Sequence, residues 1–266
     1  MGIGKKIWWS LILGAVLITA GCTTTKKTAE KPIFYPPAPA EPKLQYLTSF
    51  SMSSDLVPRA SGFKRFLLGE DTSSYIAIMK PYGLEVRGSK LYVCDTIVSQ
   101  MHILDFSGLT WETFLPKNRG KMDKCINVAV DSENNRYVSD PGRGEVLIYA
   151  PDGQFVEALR GEKSMKPVGL AVSAERIFVG DLQSRMVHVF DKTSRELLFS
   201  FPHDPENEQE KLFAPTNLAL NDQGNIYVSD TGGFRVQEYD PDGNYIRTYG
   251  RQGDSPGQFA RNKGIA

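Results

Sequence analysis

The chain has 266 residues, room for one large domain or two small ones. Its 31 Lys and Arg balance 31 Asp and Glu, so no net field draws it to nucleic acid or acidic substrates. Three cysteines exclude a disulfide-dense scaffold, while 24 Gly and 16 Pro, scattered along the chain, suit many short strands joined by turns.

The first 21 residues form a separate region. Lys5 and Lys6 supply positive charge, and Ile7 to Ile18 is an apolar run of about a dozen residues. A bilayer-spanning helix needs roughly 20, so this run has the length of a signal-peptide core instead. It ends in Thr19-Ala20-Gly21-Cys22. That ending resembles the bacterial lipobox, with Thr19 where Leu is usual. Small residues let a peptidase reach the bond before Cys22, and the Cys22 thiol accepts the lipid. The resemblance implies an acylated (palmitate-bearing) lipoprotein of the cell envelope. Thr23, where an Asp often signals inner-membrane retention, implies the outer membrane. Residues 22–43, rich in Pro, Lys, Thr and Ala, read as an extended tether without a core.

Beyond the tether the sequence repeats. Leu91-Tyr92-Val93-Cys94-Asp95 recurs as Arg136-Tyr137-Val138-Ser139-Asp140, Ile177-Phe178-Val179-Gly180-Asp181 and Ile226-Tyr227-Val228-Ser229-Asp230. The aspartates are 45, 41 and 49 residues apart. A short apolar strand precedes each: 83–86, 127–130, 169–172 and 217–220. A third strand closes at Asp105, Ala150, Asp191 or Asp240. A fourth follows at 110–115, 155–160, 196–201 and 245–249, with turns at Pro151-Asp152-Gly153 and Pro241-Asp242-Gly243. Four strands per 40–50 residues is a propeller blade, and radial stacking covers both apolar faces of each sheet. The predicted fold is therefore an all-β propeller, with blades at about 80–125, 126–165, 166–213 and 214–259.

The run from Pro215 through Asn217-Leu218-Ala219-Leu220, Gly224 to Asp230, Arg235 and Tyr239 to Gly243 resembles an NHL repeat. Similarity to that family implies six blades in a ring. Two blades would then be missing, the chain stopping inside a new first strand at 260–266. Residues 44–51 would be the latch strand that closes the last blade, with 52–79 leading to the first. The family's arginine, five residues after the aspartate, is present only as Arg235; Gln100, Glu145 and Met186 stand in the other units.

Candidate chemistry is sparse. His102 and His188 share a repeat position two blades apart, which rules out a common metal ion, and His203 falls in a long polar connection. No haem-attachment, zinc-protease, nucleophile-elbow or phosphate-loop motif occurs. Asp95, Asp140, Asp181 and Asp230 occur once per blade, each placed to accept backbone hydrogen bonds from the adjoining loop, which is a structural role. In a propeller, Cys94 and Cys125 fall on one face of neighbouring blades, open to a disulfide or to two free thiols. The sequence thus reads as a non-enzymatic binding or scaffold module without catalytic residues, metal or cofactor. Its expected partners are the bilayer, through Cys22, and an envelope protein or glycan, with a role beside an envelope electron-transfer complex suggested by resemblance. The rival is a metal-dependent lyase or lactonase working in the central channel.

Overall fold

The computed structural model describes residues 32–57, 75–161 and 163–265. Cys22 and the signal-peptide reading lie outside these residues. The chain divides into two units, 1–49 and 50–266.

In the first unit, β1 (Ile33–Tyr35) pairs antiparallel with β2 (Leu44–Tyr46). The extended tether expected over 22–43 thus contains a strand just past its midpoint. Ile, Phe and Tyr favour extended pairing, and the proline-rich connection brings Leu44–Tyr46 back alongside. The segment expected to latch a blade has this strand as its partner.

The second unit is an all-β propeller of four-stranded blades. Blade 1 comprises β3 (Pro81–Arg87), β4 (Lys90–Asp95), β5 (Gln100–Asp105) and β6 (Thr110–Phe114). Blade 2 follows with β7 (Asn127–Val130), β8 (Arg136–Asp140), β9 (Glu145–Tyr149) and β10 (Phe155–Leu159). Blade 3 has β11 (Pro167–Val172), β12 (Arg176–Asp181), β13 (Met186–Asp191) and β14 (Leu197–Phe201). Blade 4 has β15 (Pro215–Leu220), β16 (Ile226–Asp230), β17 (Arg235–Tyr239) and β18 (Tyr245–Tyr249). Every blade is an antiparallel meander, in sequence order from inner to outer strand.

The cores lie between blades, because each sheet is apolar on both faces. Tyr92, Met101, Ile103 and Phe114 of blade 1 meet Val128, Val138 and Leu147 of blade 2. Tyr137, Val146 and Ile148 of blade 2 meet Leu170, Ile177 and Phe190 of blade 3. Phe178, Val189 and Phe201 then meet Leu218, Val228 and Tyr239. Inner strands approach so closely that a Cβ on Gly83 would lie 2.5 Å from the Asn127 Cα, which only glycine accommodates.

Residues on either side of 58–74 do more than lead into blade 1. Phe50, Leu56, Ile76 and Ile78 pack over Val93, Leu104 and Trp111 on its leading face. Backbone bonds from Ser53 N–H to Ile76 O (2.7 Å) and Ile78 N–H to Ser51 O (2.9 Å) hold this cover. Residues 260–265, expected to open a new inner strand, are irregular. The Asn262 amide donates to Ser229 Oγ and Arg235 O, both at 2.9 Å, and Asn217 Nδ2 donates to Lys263 O at 2.8 Å. Side-chain bonds to blade 4 replace a backbone ladder there.

Candidate functional site: the aspartate-anchored loop face

The second strand of every blade ends in its aspartate at the face where the chain returns to open the next blade. Asp140 shows the pattern most fully. Its Oδ2 accepts from the Asp123 amide (2.7 Å), and Oδ1 from the amides of Lys124 (2.9 Å), Gly142 (3.0 Å) and Arg143 (3.1 Å). Two of these donors belong to the linker before β7 and two to the loop after β8, so one carboxylate pins two loops. Asp95 likewise accepts from Met79, Lys80 and Ile97, Asp181 from Lys166, Gln183 and Ser184, and Asp230 from Phe213 and Ala214. All four are buried. Burial pushes the Asp95 and Asp181 carboxyls up, but the hydrogen bonds outweigh it and hold both below the usual range.

Side-chain partners vary from blade to blade. Arg235 reaches Asp230, Nε to Oδ2 at 3.4 Å, and donates to the Lys211 carbonyl. Blades 1 and 3 use histidine. His188 Nε2 lies 3.3 Å from Asp181 and 3.1 Å from Ser184 Oγ, with Nδ1 2.7 Å from Ser200 Oγ. Trp111 Nε1–H donates to His102 Nδ1 at 3.3 Å, so the His102 proton sits on Nε2, 3.7 Å from Asp95 Oδ2. Burial lowers the His102 pKa against the pull of Asp95. These rings support aspartates within single blades. His203 is exposed and lies 3.1 Å from the Asp242 carbonyl.

Glu145 was visible in the sequence only as a missing arginine, and it reverses the charge pattern. Arg143 clamps its Oε2 through Nε (2.9 Å) and Nη2 (2.7 Å), and Arg160 its Oε1 through Nε (2.6 Å) and Nη2 (2.5 Å). Arg143 also donates to the carbonyls of Arg119 and Lys121, at 2.8 Å each. Beside this clamp opens a cavity of about 270 Å³ lined by Arg160, Lys163 and Ser164. Glu162 lies outside the described residues. Among the described residues, Lys163 makes no ion pair.

Cys94 is the residue before Asp95 at the end of β4, and Cys125 stands in the return before β7. Both are fully buried, and the structure pairs them as a disulfide with Cα atoms 5.5 Å apart, 31 residues apart in sequence. At the inner edge of the same face, Asn127 Nδ2 donates to Asn217 Oδ1 at 2.8 Å, tying blade 2 to blade 4. Asparagine at alternate units, where Gly83 and Gly169 stand in the others, was the signal for this tie. One inner-strand carboxyl remains. Glu85 occupies the position of Ala129, Ala171 and Ala219, and burial pushes its pKa to about 7 against the pull of Arg87. Among the described residues no three His, Cys, Asp or Glu side chains are grouped to hold a metal.

The chain matches no family model and no curated protein in sequence. Its fold is similar to solved β-propellers. A streptogramin B lyase structure superposes with a TM-score of 0.52 at 16% identity, over 64% of this chain and 54% of that one. A catalytically inactive virginiamycin B lyase from Staphylococcus aureus, with quinupristin, gives 0.52 at 11% identity, over 68% of this chain and 58% of that one. The chain therefore spans a little over half the length of these neighbours, and at such identities the likeness shows the fold alone.

Proposed function

We propose that this protein is a lipid-anchored propeller of the bacterial cell envelope whose loop face binds a protein or glycan partner. The observation that carries the binding role is the saturation of the four blade aspartates by loop amides. Carboxylates so occupied hold loops in place, and a set of loops fixed in advance loses little conformational freedom on binding. The cavity walled by the Arg143–Glu145–Arg160 clamp and Lys163 offers that face a charged recess. The envelope location is supported by the Lys5–Cys22 sequence order. The Cys94–Cys125 pair supports it too, since disulfides persist where the surroundings are oxidising. An accessory role beside an envelope electron-transfer complex is suggested only by the resemblance of the repeats.

Site-specific photo-crosslinking in cells tests the reading. A photoreactive residue at position 163 or 183, on the loop face, is expected to give one discrete adduct. The same residue at exposed Val156, on the outer strand β10, is expected to give none. Adducts of equal yield from both places, or none from either, would remove the case for a binding face.

A lyase acting in the central channel is the second reading. Glu85 favours it, because an inner-strand carboxyl that titrates near neutral pH can move a proton. The name of the solved neighbours points the same way. Turnover of quinupristin or a lactone by the purified protein, lost in Glu85→Gln, would put this reading first.

A further inference from the structure

We propose that the β1–β2 hairpin is a membrane-contact element whose apolar face seats in the headgroup layer of an anionic bilayer. The inference rests on the lipid anchor proposed above at Cys22. The register places Ile33 opposite Tyr46 and Tyr35 opposite Leu44, with Phe34 opposite Gln45 between them. Cross-strand partners share a face and neighbours along a strand alternate, so Ile33, Tyr35, Leu44 and Tyr46 form one continuous apolar face. Their exposures are 50%, 55%, 71% and 43%, and Leu47 beyond them is 80% exposed. A two-stranded sheet has no interior and is marginally stable in water by itself. Such a face needs a surface to lie on.

Three features select lipid as that surface. Eleven residues lead from Cys22 to Ile33, a span of at most about 40 Å even when fully extended. The hairpin is thus confined near the bilayer whenever the anchor is in place. Residues 23–49 carry Lys26, Lys27, Lys31 and Lys43 against Glu30 and Glu41, a net charge of +2 (four minus two). Basic segments next to a membrane are drawn to anionic lipid. Tyr35 and Tyr46 combine an apolar ring with a hydroxyl, the chemistry that settles at the water–lipid boundary.

The test uses the chain from residue 22 with Cys22→Ser, the mature protein without acyl groups. It is mixed with vesicles of phosphatidylethanolamine and phosphatidylglycerol, and with vesicles of phosphatidylcholine alone. Sedimentation is expected with the anionic vesicles, weakened about tenfold or more by the triple change Tyr35→Ser, Leu44→Ser and Tyr46→Ser, a change of affinity worth one decade. An indole introduced by Tyr35→Trp should shift to the blue only when anionic vesicles are added. No sedimentation, or sedimentation that the triple change leaves intact, overturns the proposal. So does an indole already blue-shifted without lipid, which would mean that the propeller or a second copy covers the hairpin. The anchor is read separately, by mass spectrometry of Cys22 in the wild-type protein from cells. Acylation without vesicle binding by the Ser variant sinks the hairpin and leaves the anchor. Vesicle binding without acylation does the reverse.

Discussion

Asp140 joins two loops through four amide donors, at 2.7 to 3.1 Å, split three to one between its oxygens. Asp140→Ala leaves all four without their acceptor in a buried place, and a loss of about 2–4 kcal/mol is expected. Asp140→Asn keeps Oδ1 but turns an NH₂ toward the Asp123 amide, so it should recover only part. Urea denaturation of the three proteins checks this, and equal midpoints would mean that the loops hold without the carboxylate. The position of this aspartate was legible because it recurs in every unit. Glu85 was present in the same aligned strands, against three alanines, yet its consequence appears only once burial is known. Unfolded, it titrates near 4.5; folded, at about 7. Between these values the folded state holds more protons, so stability falls as pH rises from 4.5 through 7 and is then level. Glu85→Ala should therefore leave stability at pH 4 nearly unchanged and raise the melting temperature at pH 8. Discounted for solvent screening, the gain is about 1 kcal/mol, or roughly 2–4 °C. An equal shift at both pH values would place the effect in packing instead of in the carboxyl's proton.

Among the elements, the link between blades 1 and 2 carries the clearest expectation. Cys94 and Cys125 close a loop across 31 residues of sequence, and a cross-link of that length stabilises by about 3–4 kcal/mol through the unfolded state. Alkylation under denaturing conditions without reductant should label neither cysteine, and reduction should expose both. Cys94→Ser with Cys125→Ser should unfold at correspondingly lower urea. Free thiols in the unreduced protein would return both residues to ordinary core packing. The pairing could be posed from the repeat because the return linker and the second-strand end share a face in any propeller. Sixteen blade strands in the structure follow the spacing of apolar runs and turn residues closely, since that pattern is local. The hairpin at 33–46 was hidden for the opposite reason. Its strands are three residues each, and the intervening prolines read as a stiff tether. The Glu145 clamp was equally illegible, because Arg143 stands two residues away in the β8–β9 turn and Arg160 is carried beside it by the pairing of β10 with β9, neither at a spacing the other units repeat.

At the scale of the whole molecule, the blades say little about where the protein lives, whereas the first 22 residues say much. A repeat fixes what every blade shares, and the blades differ in the residues around Glu145, in the histidines that support the aspartates of blades 1 and 3, and in the loops between. In the proposed reading, location depends instead on one bond and one thiol. Taken as a whole, the chain has equal numbers of acidic and basic residues and no net charge to hold it to a membrane, beyond what the basic segment around the hairpin adds locally. Acyl chains on Cys22 would supply that hold, at about 0.8 kcal/mol for each buried CH₂, and more than one chain makes it durable. Cys22→Ala removes the acceptor, and a peptidase that cuts only acylated precursors leaves the first 21 residues attached. The expected outcome in cells is a larger band than wild type, without incorporated palmitate. Wild type should fractionate with the outer membrane and resist extraction by high salt, because its hold is apolar and charge screening does not touch it. Any hold the hairpin adds is partly electrostatic and should yield to the same salt, so the two contributions separate in one experiment. A Cys22→Ala protein that is still cut to mature size and still floats with membranes after a salt wash would show that the anchor lies elsewhere.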